Sequence, residues 1–75
     1  MKQPNRVTTV LDARSYDYLS ATEPDLLLAV EEEVAAGASA TELRRVVIAH
    51  VGPDRQALAL RVEQAARHIA RMQTQ

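Results

Sequence analysis

The chain has 75 residues, a formal net charge of −1 and no cysteine. It is therefore one small domain at most, with no disulfide framework and no thiolate metal site. Hydrophobic residues make up 47% and aromatic residues 3%, with neither Trp nor Phe, so the composition excludes full disorder and requires an aliphatic core. Charge is unevenly placed. Residues 21–36 carry Glu23, Asp25, Glu31, Glu32 and Glu33 with no Lys or Arg, whereas residues 53–75 carry Arg55, Arg61, Arg67 and Arg71 against Asp54 and Glu63. No general excess of basic charge is present to drive nucleic-acid binding. No run approaches the ~20 apolar residues of a membrane span, and the start lacks the apolar stretch of a secretory signal. A soluble, cytoplasmic protein is expected. A monomer of this length buries only about 60% of its unfolded surface, so self-association is expected as well.

Residues 1–6 read as a flexible tail around Pro4, and residues 7–75 as a single small helical domain. The stretch Val7-Thr8-Thr9-Val10-Leu11 is rich in β-branched residues and suits an extended segment. Asp12 alternatively caps a short helix through Ala13–Leu19. A third option is an alternating strand over 16–21, with Tyr16, Tyr18 and Ser20 on one face. Local propensity leaves these three open.

A helix over about 22–36 follows. Thr22 is its expected cap, Pro24 sits in the first turn where a missing amide is harmless, and Asp25 lies at the positive pole of the dipole. Leu26, Leu27, Val30 and Val34 form its apolar stripe. Glu31-Glu32-Glu33 reads as a solvated face, and Leu28 points away from the stripe. Gly37 can close the last turn in the left-handed conformation. Ser39 then opens a second helix, about 40–51: Ser39-Ala40-Thr41-Glu42 is a capping box before an apolar run. Beyond its first turn this helix is apolar on nearly every side. That pattern belongs to a helix buried all round, and a partner copy is expected to cover it, with Leu43, Val46, Val47, Ile48 and Val51 as the dimer core. Gly52-Pro53-Asp54 breaks the chain. A third helix, about 54–73, carries a heptad-like seam of Leu58, Val62, Ala65, Ile69 and Met72. The seam serves either core packing within the chain or self-association. Glu63 and Arg67 are spaced for an i,i+4 ion pair.

No catalytic residues, cofactor or metal site emerge. Ser15 and Ser20 lack a nucleophile signature, and two glycines in the whole chain rule out a Gly-rich phosphate loop. His50 and His68 are the only histidines. Without Cys they would need carboxylates at ligand spacing, which is not seen, and His50 reads as a core or interface histidine. Neither a small-molecule substrate nor a membrane partner is suggested. Binding remains.

Thr22-Glu23-Pro24-Asp25-Leu26-Leu27-Leu28-Ala29-Val30, followed by Gly37-Ala38-Ser39-Ala40-Thr41-Glu42-Leu43-Arg44, resembles the two helices of the ribbon-helix-helix family, which includes Arc-like and MetJ-like repressors. The resemblance spans Tyr16 to Val51. It implies an intertwined homodimer whose paired strands enter the DNA major groove. Tyr16, Tyr18 and Ser20 would face the bases. Ser39, Ala40, Thr41 and Arg44 at the second helix's positive end would hold a phosphate. The expected fold is thus mostly α, with three helices after an N-terminal extended or short helical segment, in an intertwined homodimer. The expected function is a small dimeric DNA-binding transcriptional regulator. The alternative is a helical protein–protein interaction module, a homodimer or adaptor without nucleic-acid binding. A helix-turn-helix reader fits less well, because 40–51 is too apolar to lie in a groove.

Overall fold

The computed structural model describes residues 6–73, without the side chains of residues 6–8, 50, 51 and 53. The described residues form four helices: α1 (Arg6–Thr22), α2 (Pro24–Ala35), α3 (Ala40–Val51) and, after a 3-10 turn (Pro53–Arg55), α4 (Gln56–Gln73). Residues 1–5 of the expected tail lie outside the description, as do residues 74 and 75.

The first helix corrects the expected fold. No strand occurs among the described residues, and 6–22 is one continuous helix. A ribbon-helix-helix fold needs a strand at this place, so the expected intertwining through paired strands falls with it, and helices number four rather than three. Tyr16, Tyr18 and Ser20 share no face on α1: Tyr16 is half-buried, while Tyr18 and Ser20 are exposed. The physical reason is tertiary. The inward face of α1 carries Asp12, Ser15 and Leu19, all buried, at helical spacing. Two of these three are polar, so apolar periodicity does not reveal the helix, and packing overrides the β preference of Val7–Val10.

Joints between helices follow from single residues. Glu23 precedes Pro24, and a pre-proline residue is pushed out of the α region. Glu23 accordingly sits at φ −139°, ψ 60°, with its amide still donating to the Leu19 carbonyl at 2.7 Å. It, and not Thr22, is the N-cap of α2; the Thr22 hydroxyl instead donates to the Tyr18 carbonyl at 2.8 Å. At the far end of α2, Gly37 (φ +104°) donates to the Val34 carbonyl at 3.0 Å and Ala38 to the Glu33 carbonyl at 3.0 Å. These are the two bonds of a Schellman closure. Ser39 caps α3, its hydroxyl accepting from the Glu42 amide at 3.1 Å.

Helix α4 is the axis of the molecule and packs against all three others, whereas α2 and α3 barely meet. The core is aliphatic: Leu19, Leu27, Val30, Leu43, Val47, Val62 and Ile69 around Ala59, Ala65 and Ala66. The alanines let neighbouring helices approach α4 closely, and each large side chain contributes about 1.5–3 kcal/mol on burial. Of the expected seam, Val62, Ala65 and Ile69 are buried, Leu58 is half-buried and Met72 is exposed. Helix α3 is not surrounded: Val46 and Ala49 are exposed, Ile48 is half-buried, and Leu43 and Val47 are buried. The side chains of His50 and Val51 fall outside the description.

Charge pins α1 to α4. Asp12 is fully buried. Arg71 donates to it, and Arg67 donates through two nitrogens at 3.4 Å each. Arg67 also lies 3.6 Å from the Glu63 carboxylate, to which Arg44 of α3 donates at 3.5 Å. Because Asp12 meets the C-terminal half of α4 while Tyr18 meets Arg61, α1 and α4 run antiparallel. Ser15 donates to Gln64 Oε1 at 2.5 Å, and Tyr16 packs on His68 with ring centroids 5.1 Å apart.

Two stability outcomes follow. Asp12→Ala leaves two guanidiniums without their buried acceptor. Both retain about two-fifths of their exposure and can turn to water, so the expected loss is about 2–3 kcal/mol, below the about 3–5 kcal/mol of a fully buried pair. Arg44→Ala, at the exposed end of the network, costs at most about 1 kcal/mol. Urea unfolding of both variants separates the two. Gly52 stands at φ +83°, ψ 167°, a region essentially confined to glycine, with open space where a Cβ would go. Gly52→Ala is therefore expected to cost about 1–3 kcal/mol from backbone strain alone, read as a lowered unfolding midpoint.

Candidate interaction surfaces

Among the described residues two seams of the bundle stay open, and they carry opposite charge. The first lies between α2 and α3. Their link, 36–39, ties the C-terminus of one to the N-terminus of the other, and both then lean on α4 without closing on each other. The result is a groove of about 110 Å³. Leu26, Ala29, Val30 and Glu33 form one wall, Leu43, Val46 and Val47 the other, and Val62 of α4 the floor. Glu33 is the only polar side chain among these eight. Val46 is 57% exposed on the lip. Helical spacing places Asp25 and Glu32 beside Ala29 and Glu33, and Glu42 one turn before Val46. Asp25, Glu32, Glu33 and Glu42 are all exposed, and the ion pairs found among the described residues involve none of them. Arg45 is on the outward side of α3. Leu28, 59% exposed, sits on the far side of α2 from the core.

The second seam lies between α1 and the N-terminal half of α4. Two adjoining hollows share Ala57 and Arg61. One, of about 360 Å³, is lined by Leu11, Arg14, Ser15, Leu60 and Gln64 besides the shared pair. The other, of about 290 Å³, adds Tyr18, Glu23, Arg55 and Leu58. The Arg61 guanidinium lies over the Tyr18 ring, 4.2 Å from its centroid. Stacking of this kind occupies the face of the guanidinium and leaves its in-plane N–H groups for an acceptor.

The residues expected to contact DNA are not gathered into one site. Tyr18 lies in the second seam, Tyr16 is turned toward His68, and Ser20 is exposed outside that seam. Ser39 is engaged in its cap, Thr41 is exposed, Ala40 is half-buried, and Arg44 is turned to Glu63. Among the described residues no three acidic, His or Cys side chains are gathered as a metal site, and no helix is long and apolar enough to cross a membrane. Sequence reasoning missed the cluster of Leu11, Arg14, Tyr18 and Arg61. Its signal was present in the i, i+3, i+7 spacing of Leu11, Arg14 and Tyr18, which marks one side of a helix, but only once 6–22 is read as helical. Comparison with known protein families, characterised proteins and solved structures finds no match to this chain.

Proposed function

We propose that the protein is a protein–protein interaction module whose α2–α3 groove receives a basic amphipathic helix. The observation that carries this reading is the pairing of a nearly all-apolar groove with exposed carboxylates along its edges. An incoming helix would lay an apolar stripe against Leu26, Val30, Leu43 and Val46, as in helix-in-groove recognition. Lys or Arg flanking that stripe would meet Asp25, Glu32, Glu33 and Glu42. Such rim charges act more on encounter rate and choice of partner than on final affinity. A second copy using the same groove would bring two acidic rims together, and like charges in register oppose that pairing. The adaptor form of the reading is therefore favoured over the homodimer. DNA recognition through a strand pair is not carried forward, since 16–21 belongs to α1.

The test is fluorescence anisotropy with a labelled basic amphipathic helical peptide. Val46→Lys places a like charge on the groove lip at a position exposed enough to leave stability within about 0.5 kcal/mol. Binding is expected to weaken at least tenfold (about 1.4 kcal/mol) in that variant and to weaken with rising salt in the wild type. Absence of binding at low salt by the folded protein, or equal binding by Val46→Lys, refutes the reading.

A further inference from the structure

We infer that the seam between α1 and α4 is a second docking surface and that its occupant is an acidic amphipathic helix of another protein. The inference stands on different residues from the α2–α3 groove and does not depend on it.

Three observations converge. The first is geometric. Leu11, Arg14 and Tyr18 on α1 recur at i, i+3 and i+7, and Ala57, Leu60, Arg61 and Gln64 on α4 recur at i, i+3, i+4 and i+7. All of them line the two connected hollows. Two antiparallel helices offering such stripes side by side form the groove into which a further helix of a bundle packs. The second is apolar exposure. Leu11 is 44% and Leu60 42% exposed, one on each wall, so the seam offers a partner contact area that the chain itself leaves wet. The third is charge. Arg44, Arg67 and Arg71 each have a carboxylate partner. Arg14, Arg55, Arg61 and the outward Arg45 of α3 have none among those ion pairs; the first three line this seam against one carboxylate, Glu23, which leaves the seam an excess of positive charge. Arg55, at the end of the 3-10 turn, and Arg61 are six residues apart, about 9 Å at the α-helical rise, so they would engage carboxylates nearly two turns apart on a partner helix.

The choice of occupant follows from what each candidate would leave unused. A phosphate chain would engage the arginines but set Leu11 and Leu60 against charge. An acidic helix with a leucine stripe uses both. A second copy could offer the outer ridge of α2, Asp25, Leu28 and Glu32, but that contact is heterologous and would build a ring or an open chain of molecules rather than a discrete pair. It is therefore not the occupant assigned here.

The probe is a fluorescein-labelled designed helix of about 18 residues, five turns, with Leu at i, i+4, i+7 and i+11 and Glu at most other positions. Its Lys counterpart and an oligothymidylate, each titrated separately, serve as comparison ligands. The wild-type protein is expected to bind the Glu helix, more weakly as salt rises. The R14E/R61E double variant, folded by circular dichroism, is expected to lose at least tenfold in affinity for it, while Val46→Lys loses none. Because Arg61 also covers Tyr18, Arg55→Glu on the 3-10 turn provides a second variant that leaves that stack in place, with a several-fold loss expected. No binding of the Glu helix overturns the inference. So does binding of the Lys helix that R14E/R61E weakens as much as that of the Glu helix, or tighter arginine-dependent binding of the oligothymidylate. Salt-sensitive self-association in sedimentation that R14E/R61E abolishes would assign the seam to a second copy instead, and would equally overturn it.

Discussion

A fully buried aspartate organises this domain. Asp12 has no exposed surface and faces Arg67 and Arg71 across the α1–α4 seam. Removing a carboxylate from water costs several kcal/mol unless charged donors replace the lost hydration. Such a pair adds little net stability over a well-packed apolar contact, but it constrains what can pair with what. A one-turn slip of α1 along α4 would move Asp12 away from its arginines and leave it buried without them. The ion pairs thus set the register of the longest interface in the molecule. The Ser15–Gln64 hydrogen bond and the Tyr16–His68 contact fall into place along the same register.

Once α1 is fixed, the rest of the architecture follows from the shortage of large side chains. With neither Trp nor Phe, the chain fills its centre with leucine, valine and isoleucine around the alanines of α4. One helix then serves as a spine for three. A spine with three neighbours leaves gaps wherever those neighbours do not touch one another. The α2–α3 groove is such a gap, and the outer side of the α1–α4 seam is a furrow between the spine and α1 that stays open. Acidic residues collected on α2 edge the first, and Arg14, Arg55 and Arg61, outside the buried network, edge the second. Opposite charge on two separate surfaces, in a chain whose net charge is −1, suits a small adaptor that holds two unlike partners.

Much of this was legible in the residues, and the exceptions have physical causes. The bounds of α3, its Ser39 cap and the Gly37 closure follow from local chemistry that needs no tertiary partner. The core positions Leu27, Val30, Val62 and Ile69 follow from apolar spacing on α2 and α4. Of α1 only a short helix over 13–19, capped by Asp12, stood among the open options; its full length over 6–22 and Asp12's place inside it stayed hidden, because its buried stripe is Asp12, Ser15 and Leu19, and a buried carboxylate looks like a surface residue until its arginines, 55 and 59 positions away, are known. The strand reading of Tyr16, Tyr18 and Ser20 grew from that gap, and the ribbon-helix-helix expectation with it. Within the single chain α3 is not covered all round, since Val46 lies on the lip of the α2–α3 groove. The Arg14–Tyr18–Arg61 cluster is a property of the α1–α4 register and was out of reach without it.

Amide hydrogen exchange of the wild type and of Asp12→Ala tests the central claim most directly. If the buried ion pairs dock α1, wild-type amides from Tyr16 to Leu19 exchange nearly as slowly as those in the middle of α4. In the variant they are selectively lost from the protected set, while α3 and α4 keep most of their protection. Rapid exchange throughout 6–22 in the wild type, or unchanged α1 protection in Asp12→Ala, would contradict the account.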